Sequence, residues 1–212
     1  MTDAANLDPS AAARSRARTP VDKFNARRIE LADAALATLA QLGYARTSLR
    51  EIAQKSDFSH GVLHYYFADK TDLICCGVRQ YKAACITRYD EILATARSRD
   101  ELIEMFLSKL EETICVDGHL HRLWYDMRAQ SMFEEAFRND VNEIDGDLQD
   151  MVWRVLVRYA ELGNKVPFVS SSVLYALFDG LFQRALLHHL SGDTTAVAVF
   201  QAEVRRILPL IA

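Results

Sequence analysis

The sequence predicts an all-α protein: a three-helix helix-turn-helix unit joined by a long helix to a larger α-helical domain. Three observations carry that prediction. Apolar residues recur at helical spacing along most of the chain, capping residues precede many of those segments, and glycine and proline are scarce, at 8 and 4 of 212 residues. Half of the residues are apolar, enough for a sizeable core arranged as one large or two small domains.

Residues 1–21 are rich in Ala, Ser, Thr and Pro and are expected to form a disordered basic tail. Arg14, Arg16 and Arg18 alternate within it; they could reach into a minor groove or remain solvated charges. A first helix is expected from about Asn25 to Leu42, on the spacing of Ile29, Ala32, Leu36 and Leu39, with Gly43 as a left-handed cap. Thr47 or Ser48 caps a short second helix through Lys55, and Glu51 gives it a capping box. Ser56-Asp57-Phe58 is the turn, where Asp57 can adopt the left-handed conformation. Ser59 caps a third helix through about Phe67, and Asp69 caps a long fourth from Lys70 to about Ala96.

Beyond it, helices are expected near 99–116, 119–138, 141–162, 170–190 and 194–210. Ser191-Gly192-Asp193 is a short connection, so the last two should form an antiparallel pair. Val173, Leu174, Leu177, Leu181 and Phe182 on one, with Val197, Phe200, Val204 and Ile207 on the other, make a wide apolar surface. That surface could be internal core or half of a four-helix dimer interface. The expected division is a tail (1–21), a DNA-binding domain (22–69) and a C-terminal ligand-binding and dimerisation domain (70–212).

Charge is distributed unevenly along the chain. The net charge is −4, yet residues 9–82 carry 12 Lys/Arg against 7 Asp/Glu, and residues 83–212 carry 13 against 20. A basic head on an acidic body suits a DNA-binding module on a body that does not bind DNA. No uncharged apolar run approaches the ~18–20 residues that span a bilayer, and the N-terminus lacks the apolar core of a signal peptide. The expectation is a cytoplasmic protein without a membrane partner. Cys75, Cys76, Cys85 and Cys115 form no disulfide framework, and read as small apolar or surface residues.

The segment from Arg46 to Leu73 carries the chemistry. Ile52, Ala53, Leu63 and Phe67 would form the small core that fixes the angle between the second and third helices. His60 and Val62 project from the first turn of the third helix, where a histidine can donate to guanine and a valine can pack on a thymine methyl. Gly61 leaves the start of that helix free of side chain, so backbone can approach a base or phosphate. Thr47, Ser48, Tyr65 and Tyr66 offer hydroxyls to phosphates, and Lys70 adds a charge at a helix N-terminus. Each alone could be a structural or solvated residue; in this order they form a DNA-reading set.

The run Thr47-Ser48, Ile52-Ala53, Ser59, Gly61, Leu63, Tyr65, Phe67, Lys70 and Leu73 resembles the N-terminal domain of TetR-family transcriptional regulators. HYYFADK is close to its counterpart in choline-responsive members. The likeness covers about 50 residues, from Phe24 to Leu73; the remainder matches in length, helical content and the Asp179-Gly180-Leu181 step. Against the family pattern, Asp57 replaces a usual turn glycine and His64 a commonly aromatic position. The resemblance implies DNA contacts from Thr47, Ser48, Ser59, His60, Gly61, Val62, His64, Tyr65, Tyr66 and Lys70. It also implies a repressor that binds a double-stranded, pseudo-palindromic operator as a homodimer through its last two helices. An unknown small-molecule effector in the C-terminal domain would release it. The alternative is a member of the same family without a small-molecule effector, controlled by a protein partner or constitutive.

Within the C-terminal domain, Trp124, Tyr125, Met127 and Arg128 belong to an aromatic and Met-rich band and are the candidate ligand-lining residues. Asp126 beside aromatics could instead cage a quaternary ammonium. Cys115, His119 and His121, with Asp117 or Asp126, do not have a standard zinc spacing and read as polar loop residues, so no metal or cofactor is expected. No phosphate loop, nucleophile elbow or zinc-protease helix is present, and the chain does not read as an enzyme.

Overall fold

Helix α1 (Pro20–Leu42) starts at a complete capping box. Thr19 accepts the Asp22 N–H, Asp22 accepts the Thr19 N–H at 2.8 Å, and Pro20 fills a first position that needs no donor. The computed structural model describes residues 19–212; Arg14, Arg16 and Arg18 lie outside them. The helix therefore begins earlier than the apolar period at Ile29 announced, and takes in Pro20 and Val21, which had been read as tail.

Helices α2 (Leu49–Lys55) and α3 (His60–Tyr66) follow, then α4 (Lys70–Thr87), α5 (Asp90–Thr95) and α6 (Arg99–Gln130). A single 3-10 turn at Glu135–Phe137 leads into α7 (Arg138–Glu161), and α8 (Ser171–Leu190) and α9 (Ala196–Ile211) close the chain. No described residue is in a strand. Among the described residues, no helix is long and apolar enough to cross a membrane.

Three expectations about these elements are corrected. The fourth helix stops at Thr87 without glycine or proline: Tyr89 turns inward to 3% exposure, and Arg88 pairs with Asp117 of α6 at 2.6 Å. Tertiary packing ends that helix. The two helices expected at 99–116 and 119–138 are largely one, of 32 residues, broken only after Gln130. Gly118 lies inside it because α8 comes close there; a Cβ would meet Leu186 Cδ1 at 3.3 Å. Finally, Asn164 is the non-glycine residue with positive φ among those described, so Asp57 turns without the left-handed conformation. Gly43 does have positive φ, 73°, but with extended ψ, and its N–H bonds Leu39 O.

Buried apolar side chains form two clusters. One joins Leu31, Leu39, Ile52, Leu63, Phe67 and Leu73 of the α1–α4 segment to Leu123, Trp124 and Met127 of α6, Phe137 of the 3-10 turn and Ile144 of α7. The other fills the α5–α9 bundle around Phe106, Leu107, Val155, Phe178 and Val204. The head therefore shares a core with the start of the body, and α6 runs through both.

The wide surface expected on α8 and α9 serves in two directions. Leu174, Phe178, Phe200 and Val204 are buried, whereas Val173, Leu177, Leu187, Val199 and Leu210 are exposed.

Candidate nucleic-acid interface and internal cavity

The second and third helices are each started by a serine. Ser48 Oγ accepts the Glu51 N–H at 3.2 Å, and Ser59 Oγ accepts the Val62 N–H at 3.3 Å. The capping box of α2 is half-formed, since Glu51 accepts from the Ser48 hydroxyl and not from its backbone. Ile52 and Leu63 are fully buried and Phe67 nearly so, with Ala53 partly buried against them, which holds α3 across α2.

The outward face of α3 carries His60, Gly61, His64 and Tyr65, all exposed, with Val62 and Tyr66 half-buried. The His60 and His64 rings meet edge to face at 4.3 Å, one helical turn apart. Tyr66 lies against Phe24 of α1 at 4.8 Å, and Tyr65 packs edge-on to both. A Cβ on Gly61 would meet nothing within 4 Å.

Two of the expected phosphate donors are engaged inside the protein. Thr47 is 4% exposed and its hydroxyl donates to Gly43 O at 2.5 Å. Lys70 Nζ donates to Tyr44 O at 3.2 Å and lies 3.9 Å from the centre of the Tyr44 ring. Lys70 thus ties the start of α4 to the α1–α2 turn. Sequence reasoning passed over Arg46, Arg50 and Lys55, which are exposed in and beside α2. Their signal was the plain one of basic residues flanking the Thr-Ser cap, Arg46 and Arg50, and ending the helix it starts, Lys55.

Behind the interface, α4 and the helices of the body line a cavity of about 70 Å³. Its walls are largely aromatic: Tyr89, Phe106, Trp124, Tyr125, Tyr175, Phe178, Phe182 and Phe200. Polar groups reach it from three helices, Lys82 of α4, His121 of α6 and Asp179 of α8. Trp124 and Tyr125 therefore line it as expected positions. Met127 does not, being buried in the cluster shared with the head, and Arg128 lies outside the wall, paired with Asp179 and Asp145.

Asp126 is also away from the cavity. Its carboxylate accepts the Tyr44 N–H at 2.7 Å, so it clamps the α1–α2 turn. Arg122, one turn earlier on α6, donates to Ala40 O. Cys115 and His119 face solvent while His121 is buried, and no group of three possible metal ligands gathers among the described residues.

Burial governs the titration of the cavity's polar groups. It pushes the Lys82 ammonium down to about 8, with the neighbouring Cys85, Asp179 and Asp145 pulling the other way. Burial, then the charge of Lys82, holds His121 well below its ordinary value. Tyr125 and Tyr175 are raised by burial and by the carboxylates they face, Asp179 and Asp145.

An all-α chain whose capped third helix faces outward from a small head, with a helical body behind it, has the architecture of a helix-turn-helix protein. Residues 31–74 match the family described as bacterial regulatory proteins, tetR family. The HTH-type transcriptional regulator BetI of Paraburkholderia phymatum is 31% identical over 179 residues, covering 80% of this chain and 86% of that protein. BetI of Paraburkholderia xenovorans is 30% identical over 183 residues, with 80% and 87% covered. The chain belongs to the TetR family, whose members bind DNA and are not enzymes.

Solved structures share the fold. A transcriptional regulator from Saccharomonospora viridis in complex with choline superimposes with a TM-score of 0.71 at 16% identity, covering 87% of this chain and 96% of that one. FadR from Bacillus subtilis in complex with stearoyl-CoA gives 0.69 at 17%, with 85% and 96% covered.

Proposed function

We propose that the protein is a ligand-responsive repressor, which binds a pseudo-palindromic operator as a homodimer and leaves it when a small molecule fills the cavity. In this reading residues 22–69 read DNA and residues 70–212 sense and dimerise, in the cytoplasm. The observation that carries it is the leading edge of α3. His60, His64 and Tyr65 are polar, aromatic and solvent-facing, and Gly61 between them has no steric reason to be glycine within the free protein. A duplex pressed against that edge supplies the reason.

Two such helices about one helical turn apart, ~34–36 Å, would meet successive major grooves. The exposed stripe of α8 and α9 is the surface that would pair the subunits. Helix α6 supplies the coupling. His121, Trp124 and Tyr125 on it line the cavity, while Arg122 and Asp126 hold Ala40 O and the Tyr44 N–H beside the reading head. To turn a mostly bound population into a mostly free one, the effector must favour the released state by ~5 kcal/mol. Relatives named BetI, and fold neighbours solved with choline and with stearoyl-CoA, are consistent with a ligand. The open space in the bundle counts against the alternative of a regulator with no small-molecule effector.

The test is a selection of bound fragments from genomic DNA, repeated with variants. His60→Ala should relax preference at one base pair by ~1–3 kcal/mol, and an identical consensus would remove its base contact. Gly61→Leu should leave the melting temperature nearly unchanged yet weaken operator binding by about 1–3 kcal/mol through overpacking. Unchanged affinity in a gel-shift titration would place DNA elsewhere.

A further inference from the structure

The cavity has two polar ends, and they differ in unused hydrogen-bonding capacity. At the α8 end, Asp179 is satisfied: Tyr125 Oη donates to it at 2.9 Å and the Arg128 guanidinium pairs with it. At the α4–α6 end, Lys82 is 2% exposed and His121 5%. The Lys82 ammonium lies 3.0 Å from His121 Nδ1, and otherwise faces the rings of Trp124 and Tyr81 at 5.1 and 5.9 Å. An ammonium can only donate, so Nδ1 accepts, and the neutral imidazole carries its proton on Nε2. That Nε2 is buried with no hydrogen-bond partner.

The result is a pole made only of donors. Lys82 has N–H bonds to spare, His121 has one unpaired, and both are shut away from water, where an unmet donor is costly. The aromatic walls would welcome a cation. A cation there would nevertheless share the enclosure with an ammonium that no carboxylate contacts.

The geometry points to a small monocarboxylate as the effector, its carboxylate received by Lys82 and His121 Nε2–H and its apolar body held against Phe106, Trp124, Phe178 and Phe182. This assignment rests on the ligand-responsive reading above. The size follows from the cavity, whose 70 Å³ is about half the ~150 Å³ that admits benzene, and so suits a ligand of roughly three to five non-hydrogen atoms. Burial lowers the lysine only to about 8, so at pH 7 it is mostly charged and ready to meet an anion.

Isothermal titration and thermal-shift measurements on the full chain test this with propionate, propanamide and tetramethylammonium, molecules of similar size that are anionic, neutral and cationic. Propionate should bind and raise the melting temperature, the amide should bind at least about tenfold more weakly, and tetramethylammonium should not bind. Lys82→Met should weaken propionate by roughly 10- to 100-fold and the amide by less. If that variant does not fold, the wild-type ranking decides alone. Tetramethylammonium ranking first, equal binding of acid and amide, or no binding by any of the three overturns the carboxylate assignment. None of these outcomes decides the ligand-responsive reading, which falls separately if no compound in a broad metabolite screen releases the operator.

Discussion

Gly180→Arg is expected to lower operator affinity by roughly 10²–10⁴-fold while leaving the folded subunit at least as stable as before. Gly180 sits on the outer face of α8, between Val173 and Leu177 on one side and Leu187 on the other, and a Cβ there meets nothing within 4 Å. Within one subunit an arginine side chain therefore has space, and replacing a mid-helix glycine adds about 1 kcal/mol of helix propensity. In a paired structure the same position is different. A dimer interface of the usual size, at least ~1,000 Å², packs its centre as densely as a protein interior. An arginine at the middle of the apolar stripe would have to be buried opposite its symmetry mate, two like charges without partners. The monomer keeps one reading head and loses the gain from binding two half-sites together. Sedimentation should give a monomer, thermal melting a transition no lower than wild type, and gel shift a weak, salt-sensitive complex. A variant that stays dimeric and binds as before would move the interface away from α8 and α9.

The reading head was legible because its information is local. Ser48, Ser59 and Asp69 each cap the helix that follows them, and Ile52, Leu63 and Phe67 recur at spacings that only a helix pair can bury together. The cavity was not legible, because Lys82, His121 and Asp179 come from three helices and meet only after the bundle closes. One sign was present. Lys82 stands four residues after Val78 and three before Cys85, both buried, so a lysine falls on the apolar stripe of α4. His121 was noticed, but for a metal, because its neighbours Cys115 and His119 were near in sequence. On a continuous helix they point away from it. Met127 and Arg128 share faces with Trp124 and Tyr125, but one turn further along α6 the first packs into the cluster shared with the head and the second is held by Asp145 and Asp179. The continuity of α6 was hidden by Gly118, which is there for the approach of α8 and does not stop the helix.

Lys82→Met carries the second large effect, a stabilisation that depends on pH. Burial moves the Lys82 ammonium from its ordinary 10.5 to about 8 in the folded protein. Below pH 8 the group is charged in both folded and unfolded chains, and the folded state bears the full cost of enclosing the charge, about 3 kcal/mol. Between about 8 and 10.5 the unfolded chain holds the proton that the folded chain has released, so wild-type stability rises with pH and the cost fades. Methionine fills similar volume with no charge. At pH 7 the variant should therefore be more stable by about 1–3 kcal/mol, a rise of roughly 3–10 °C in melting temperature. Its advantage should shrink as pH climbs through 8 and vanish near 10.5. Taking the difference between the two proteins at each pH cancels the buried tyrosines, which are common to both. A variant less stable than wild type at pH 7, or an advantage that does not change with pH, would mean that the ammonium is already neutralised within the bundle. With the expected result, the lysine is a group that weakens the empty protein, and a carboxylate entering the cavity removes that cost at the moment it binds.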